Sequence, residues 1–249
     1  MSLHSIQMYS NILQKHSRFQ VLINDLAKPP YPVLYLLHGL GGDESIWLRK
    51  TDLETQCKQY PFLITMPDSG RSFYCDSPMG NYETYLIKEL IPHIDRVFST
   101  RNQRKYRAIC GASMGGFGAV KIALKHPELF YAASGHHSSF QYGLEPASMY
   151  PDKPELMVLE NSIDVETNNV FTLAKNCNNK KRPKMYFDCG HDDFLLKIND
   201  QFHHHLKKIK YPHTYKKYPG THNWEYPKAH ITDSLDFLCE VMRLKKTST

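Results

Sequence analysis

No apolar run in this 249-residue chain approaches the ~18–20 residues that a membrane span needs; the longest, Val33 to Leu37, has strand length. The first residues, Met1 to Ser5, carry no basic segment followed by an apolar one, so no secretory leader is expected. The six cysteines (57, 75, 110, 177, 189 and 239) form no Cys-x-x-Cys pair and follow neither a disulfide framework nor a zinc-ligand spacing. Reduced thiols and a cytoplasmic location are therefore expected. Nor is charge of one sign concentrated. The formal charge of +6 is carried by scattered lysines and arginines, with only short clusters such as Lys180-Lys181-Arg182. Without a basic stripe interleaved with aromatics, nucleic acid is not an expected partner. Internal repeats and low-complexity segments are also missing.

The composition is that of a globular chain, with 41% hydrophobic and 22% charged residues. A chain this long buries roughly 70–75% of its unfolded surface, enough for a full core without staples. Strand-like and helix-like segments alternate. Strands are expected at Phe19–Ile23, Tyr31–His38, Phe62–Met66, Tyr106–Cys110, Phe130–Ser134, Met185–Cys189 and Thr214–Tyr218. Helices are expected at Ser45–Tyr60, Tyr82–Phe98 (kinked or broken near Pro92), Phe117–Lys125, Phe194–Ile209 and Lys228–Arg243. Such alternation predicts an α/β fold with a mostly parallel sheet covered on both faces. The stretch from about 137 to 184, rich in proline and asparagine, breaks the rhythm. It is expected to be a cap-like insertion with short helices inside one domain spanning 1–249.

The sharpest feature is Gly111-Ala-Ser113-Met-Gly115-Gly116, lying between a buried strand and a helix. Gly-x-Ser-x-Gly in that context predicts a very tight strand-to-helix turn that lifts Ser113 above the carboxyl edge of the sheet. The alternative is a glycine-rich turn whose serine only caps the helix. A serine hydroxyl needs a base, and in this architecture an acid and then a histidine follow the serine in the chain. Two strand ends downstream open into suitable loops. One reads Phe187-Asp-Cys-Gly-His191-Asp192-Asp193 and the other Tyr218-Pro-Gly-Thr-His222-Asn-Trp224. His222 is the only histidine in its loop and is the expected base. The acid is Asp192 or Asp193, with the other available to cap the following helix. Oxyanion donors are expected from the N–H of Met114 and from the N–H of Leu40 in the loop His38-Gly39-Leu40-Gly41-Gly42, where Gly39 would lie against the substrate. His136 and His137 follow a strand and are expected to be structural or to support the pocket. His203, His204 and His205 fan around a helix and cannot converge on one metal.

Five ordered motifs resemble one family: His38-Gly-Leu-Gly-Gly42, Pro67-Asp-Ser-Gly-Arg-Ser-Phe-Tyr74, Gly111-Ala-Ser-Met-Gly-Gly-Phe-Gly118, Cys189-Gly-His-Asp-Asp193-Phe-Leu195 and Pro219-Gly-Thr-His-Asn-Trp-Glu225. From about Tyr9 to Leu238 the chain is similar to the esterase D-like branch of the α/β-hydrolases, especially bacterial tributyrin esterases. That branch includes S-formylglutathione hydrolases, feruloyl and acetylxylan esterases, and mycolyltransferases. The resemblance implies an α/β-hydrolase fold and a serine carboxylesterase for short-chain acyl esters, with a small-molecule substrate and no metal or organic cofactor. It places the acid at Asp193 and puts Trp47 and Trp224 at positions that frame the pocket. A dimer or tetramer through exposed helices is an expectation from the family alone. Rival readings are S-formylglutathione thioester hydrolysis, acyl transfer to a carbohydrate or lipid alcohol, and a non-enzymatic binding module on the same scaffold. One departure is the replacement of the family's second aromatic after the histidine by Tyr226-Pro227.

Overall fold

Strand β3 (Val33–Leu37) is buried at all five residues, and its side chains divide by parity. Val33, Tyr35 and Leu37 enter one core while Leu34 and Leu36 enter the other. A strand with a core on both sides is the physical meaning of an uninterrupted apolar run. The computed structural model describes residues 1–141 and 165–247. In chain order the other strands are β1 (Ser2–Ser10), β2 (Lys15–Ile23), β4 (Leu63–Pro67), the small pair β5 (Asp76–Ser77) and β6 (Gly80–Asn81), β7 (Arg107–Ala112), β8 (Ala132–His136), β9 (Lys184–Gly190) and β10 (His213–Tyr218). The main sheet runs β1-β2-β4-β3-β7-β8-β9-β10. From β4 to β10 every pairing is parallel, and β1 and β2 are antiparallel.

The helices are α1 (Ile46–Lys50), α2 (Leu53–Gln56), α3 (Tyr82–Tyr85), α4 (Ile91–Val97), α5 (Met114–Lys125), α6 (Val165–Asn168), α7 (Val170–Asn176), α8 (Leu196–Lys208) and α9 (Glu225–Met242). The expected α/β-hydrolase architecture is present. Helices α4, α5, α7 and α8 pack on the face of Tyr35 and Ile109, and α1, α2 and α9 on the face of Leu34 and Cys110.

Three elements differ from the sequence expectation. Strand β1 carries mostly exposed side chains and is held by its backbone ladder to β2, so no apolar pattern marks it. The expected helix Ser45–Tyr60 is two short helices, because Thr51, whose hydroxyl donates to the Trp47 carbonyl, leaves helical geometry. The expected break near Pro92 takes the form of a π turn at Leu86–Leu90 between α3 and α4. Shifting the ladder by one residue accommodates the proline's missing N–H. Of the expected 137–184 insertion, residues 142–164 lie outside the described residues. Its described start, His137–Gln141, is buried, and α6 and α7 are short helices.

The parallel strands deliver four loops to one end of the sheet. The His38–Gly42 loop follows β3, Ser113 follows β7, Asp193 follows β9 and His222 follows β10. This carboxyl edge is where open α/β sheets place ligands.

Candidate active site

Ser113 sits at the β7–α5 turn in the left-handed region (φ 55°, ψ −114°). Its N–H donates to the His136 carbonyl at 2.9 Å, and its carbonyl accepts from Phe117 N–H at 3.0 Å and Ser139 N–H at 3.1 Å. The turn closes only because its neighbours lack side chains. A β-carbon on Gly111 would lie 2.4 Å from the Gly115 carbonyl, and one on Gly115 would lie 2.3 Å from Leu37 O. The serine side chain makes no capping bond to the helix, which disposes of the alternative reading of this turn. Its Oγ instead lies 3.0 Å from His222 Nε2 and 3.2 Å from Ser139 Oγ.

His222 Nδ1 is 2.9 Å and 3.1 Å from the two carboxylate oxygens of Asp193. Of Asp192 and Asp193, it is Asp193 whose carboxylate faces His222. Asp193 is buried, faces His222 and also accepts the Leu195 N–H at 2.8 Å. Burial pushes its carboxyl up, but the adjacent His137 ring and the bonds from His222 and the Leu195 N–H outweigh that and hold it well below the usual carboxylate range. This arrangement can hold a proton on His222 Nδ1 against the Asp193 carboxylate with Nε2 turned toward Ser113 Oγ. The acid and base loops are tied directly: His191 N–H donates to Tyr218 O at 2.8 Å and Asp192 N–H to Gly220 O at 3.0 Å.

The loop after β3 is pinned carbonyl by carbonyl. Trp47 Nε1 donates to Leu37 O at 3.0 Å, and the Tyr74 hydroxyl donates to His38 O at 3.1 Å. His38 Nε2 accepts the Ser69 N–H at 3.0 Å, so its Nδ1 carries the proton and donates to Gly39 O at 2.8 Å. Met114 is the first residue of α5, where N–H groups have no partner within the helix. Such fixed N–H groups are what a developing oxyanion requires.

A cavity of about 340 Å³ opens over this array. Gly39, Leu40, Met114, Ser113, His222 and Trp224 line it. Trp47 does not. It is fully buried, donates its indole N–H to the strand end and packs edge-on beneath Trp224 at 5.2 Å. Its role is to support the loop and Trp224 rather than to frame the pocket. Phe73, His137, Ser139, Gln141 and Phe194 also line the cavity. Of these, the sequence had pointed only to His137 as a neighbour of the pocket. Phe194 could have been suspected, because it directly follows the acid.

His137, Asp193 and His222 bring three potential ligand atoms within 4.8 Å of one another. The two imidazoles stack, with ring centres 4.3 Å apart and planes 34° from parallel, and both Nδ1 atoms lie within 3.3 Å of Asp193 Oδ2. The adjacent His203, His204 and His205 turn to different partners: His213, the Asp200 carbonyl and the Phe171 carbonyl. Behind the site, wholly buried His136 bonds to the Asp188 carboxylate at 3.0 Å and to Ser234 Oγ at 3.1 Å. Burial opposes its charge, but Asp188 prevails and lifts its pKa to about 10.

The esterase family model, described as "Putative esterase", matches residues 10–238. The chain belongs to this esterase family. It is a carboxylic ester hydrolase by that membership. It is 24% identical over 265 residues to an acetyl esterase of Caldicellulosiruptor saccharolyticus, covering 97% of this chain and 99% of the relative. The fold is similar to that of a fluorophosphonate-binding serine hydrolase of Staphylococcus aureus (TM-score 0.86, 24% identity, 95% of this chain and 98% of that one). An S-formylglutathione hydrolase of the same organism also superposes on this esterase (TM-score 0.83, 24% identity, 95% and 98% covered). No helix among the described residues is long and apolar enough to cross a membrane.

Proposed function

We propose that this esterase hydrolyses short-chain acyl esters of small molecules through an acyl-enzyme on Ser113. The observation that carries the reading is one continuous relay: Ser113 Oγ is 3.0 Å from His222 Nε2, and His222 Nδ1 is 2.9 Å from Asp193. Ser113 Oγ attacks the ester carbonyl carbon while His222 Nε2 takes the hydroxyl proton. The ionised Asp193 holds the ring and stabilises the imidazolium. The N–H groups of Leu40 and Met114 receive the negative charge of the tetrahedral oxygen. On collapse the carbon–oxygen bond to the leaving alcohol breaks and His222 returns the proton to it. Water, deprotonated by the same nitrogen, then attacks the acyl-enzyme and releases the carboxylic acid and free Ser113.

The size of the cavity supports a short acyl group. About 340 Å³ lies at the low end of the ~300–1,000 Å³ typical of ligand pockets. Its apolar walls include Phe73, Phe194 and Trp224, with Gly39 and Trp224 as proposed substrate contacts. Six buried free thiols are consistent with action in a reducing compartment such as the cytoplasm. A series of p-nitrophenyl esters tests the proposal. kcat/KM should be highest at acetate to butyrate and fall steeply for decanoate. A maximum at long chains contradicts it, and a steep loss already between acetate and butyrate points to a formyl-sized pocket and S-formylglutathione.

A further inference from the structure

His137 follows β8 with a left-handed backbone (φ 36°), held by donating its N–H to Asp188 O at 2.8 Å. A non-glycine residue locked in that region marks a place where the surroundings override local preference. The result is a ring stacked with two others. Tyr226 stacks on it at 5.3 Å and 27°, and His222 at 4.3 Å and 34°. Its Nδ1 lies 3.3 Å from Asp193 Oδ2 yet makes no aligned hydrogen bond. The ring therefore presents its face, not its nitrogen, to the base.

We propose that His137 is a positioning residue for ester hydrolysis: its neutral ring is the platform on which His222 keeps its plane, and its π face stabilises the imidazolium formed when Ser113 loses its proton. The proposal rests on the serine reading above and adds a fourth side chain to it. The groups facing the stacked pair are Asp193, which touches both imidazoles, His136 with its partner Asp188, and the Tyr226 phenol. Burial holds the pKa of His137 below its ordinary value; Asp193 pulls it up, while His222 and His136 push it further down. A neutral ring is the form that attracts a cation over its face, whereas a charged one would repel it.

The test compares His137→Phe, which keeps a ring face, with His137→Leu, which keeps only bulk. Rates on p-nitrophenyl butyrate are taken from pH 4 to 9 and expressed per fluorophosphonate-reactive site, so incompletely folded protein does not count. In His137→Leu, kcat should fall about 3- to 30-fold with KM nearly unchanged, the range expected for one desolvated cation–π contact. The acid limb of kcat/KM should move about half a unit to one unit lower, the counterpart of losing one cation–π contact. His137→Phe should stay within about threefold of wild type. The platform is overturned if His137→Leu matches wild type, if Phe falls as far as Leu, or if only Tm drops while the acid limb stays in place. If the wild-type enzyme carries no fluorophosphonate on Ser113, the serine reading fails first and the platform with it.

Discussion

Replacing Asp193 by asparagine leaves the shape of the site intact and reverses one proton. Asp193 Oδ1 is already claimed by the Leu195 N–H at 2.8 Å, so the amide oxygen of an asparagine must take that place. The amide NH₂ then points at His222 Nδ1, where a carboxylate oxygen now sits 2.9 Å away. His222 must accept on Nδ1 and carry its proton on Nε2, facing Ser113 Oγ. In that tautomer it cannot take the serine proton, and no carboxylate remains to stabilise an imidazolium. The expected loss in kcat is about 10³- to 10⁴-fold, or about 4–5.5 kcal/mol of transition-state stabilisation. Initial rates on p-nitrophenyl butyrate measure it, with circular dichroism to check the fold. A folded Asp193→Asn enzyme with more than a tenth of wild-type kcat would refute the reasoning.

Trp47→Phe removes the donor to Leu37 O while keeping the packing beneath Trp224. We expect kcat to drop about tenfold with KM within about twofold, and a large KM change would return Trp47 to the substrate pocket. The buried Lys121–Glu83 pair (2.7 Å) predicts an order of stability. Glu83→Gln strands a fully buried ammonium and should cost about 3–5 kcal/mol by urea titration, whereas Lys121→Met should cost less, because Lys125 and His126 still face Glu83. Burial pushes the Glu83 carboxyl up, but Lys121, His126 and Lys125 hold it well below its ordinary 4.5. Its stabilisation is thus complete above that pH and lost as acid protonates it, so Glu83→Gln should flatten the decline of Tm below about pH 4.5. His136 has the opposite sign. With a folded pKa of about 10 against an ordinary 6.5, its pairing with Asp188 contributes fully below about pH 6.5 and fades as pH rises toward 10. Tm should fall across that window, and His136→Asn should remove this slope.

The parallel strands were legible because burial on both faces leaves no polar residue in Val33–Leu37 and few in its neighbours. The elbow was legible because only glycine fits where Gly111 meets Gly115 and Gly115 meets Leu37. Asp192 and Asp193 are adjacent in a loop, so residue spacing alone could not show that it is the Asp193 carboxylate that faces His222. Trp47 was misassigned for a related reason, since proximity to the oxyanion loop does not say whether an indole faces the cavity or the strand behind it. His137, Ser139 and Gln141 wall the cavity from an irregular segment, where no periodicity indicates which side chains turn inward. Strand β1 left little pattern because most of its side chains are exposed, with only Ile6 and Met8 partly buried against the core, and the backbone ladder to β2 runs its whole length.

Intact-mass and peptide mass spectrometry after treatment with a fluorophosphonate tests the central claim most directly. One phosphonyl group per chain, mapped to Ser113 and abolished in Ser113→Ala together with esterase activity, is the predicted result. Full activity in Ser113→Ala, or labelling of a different residue with Ser113 untouched, would contradict it.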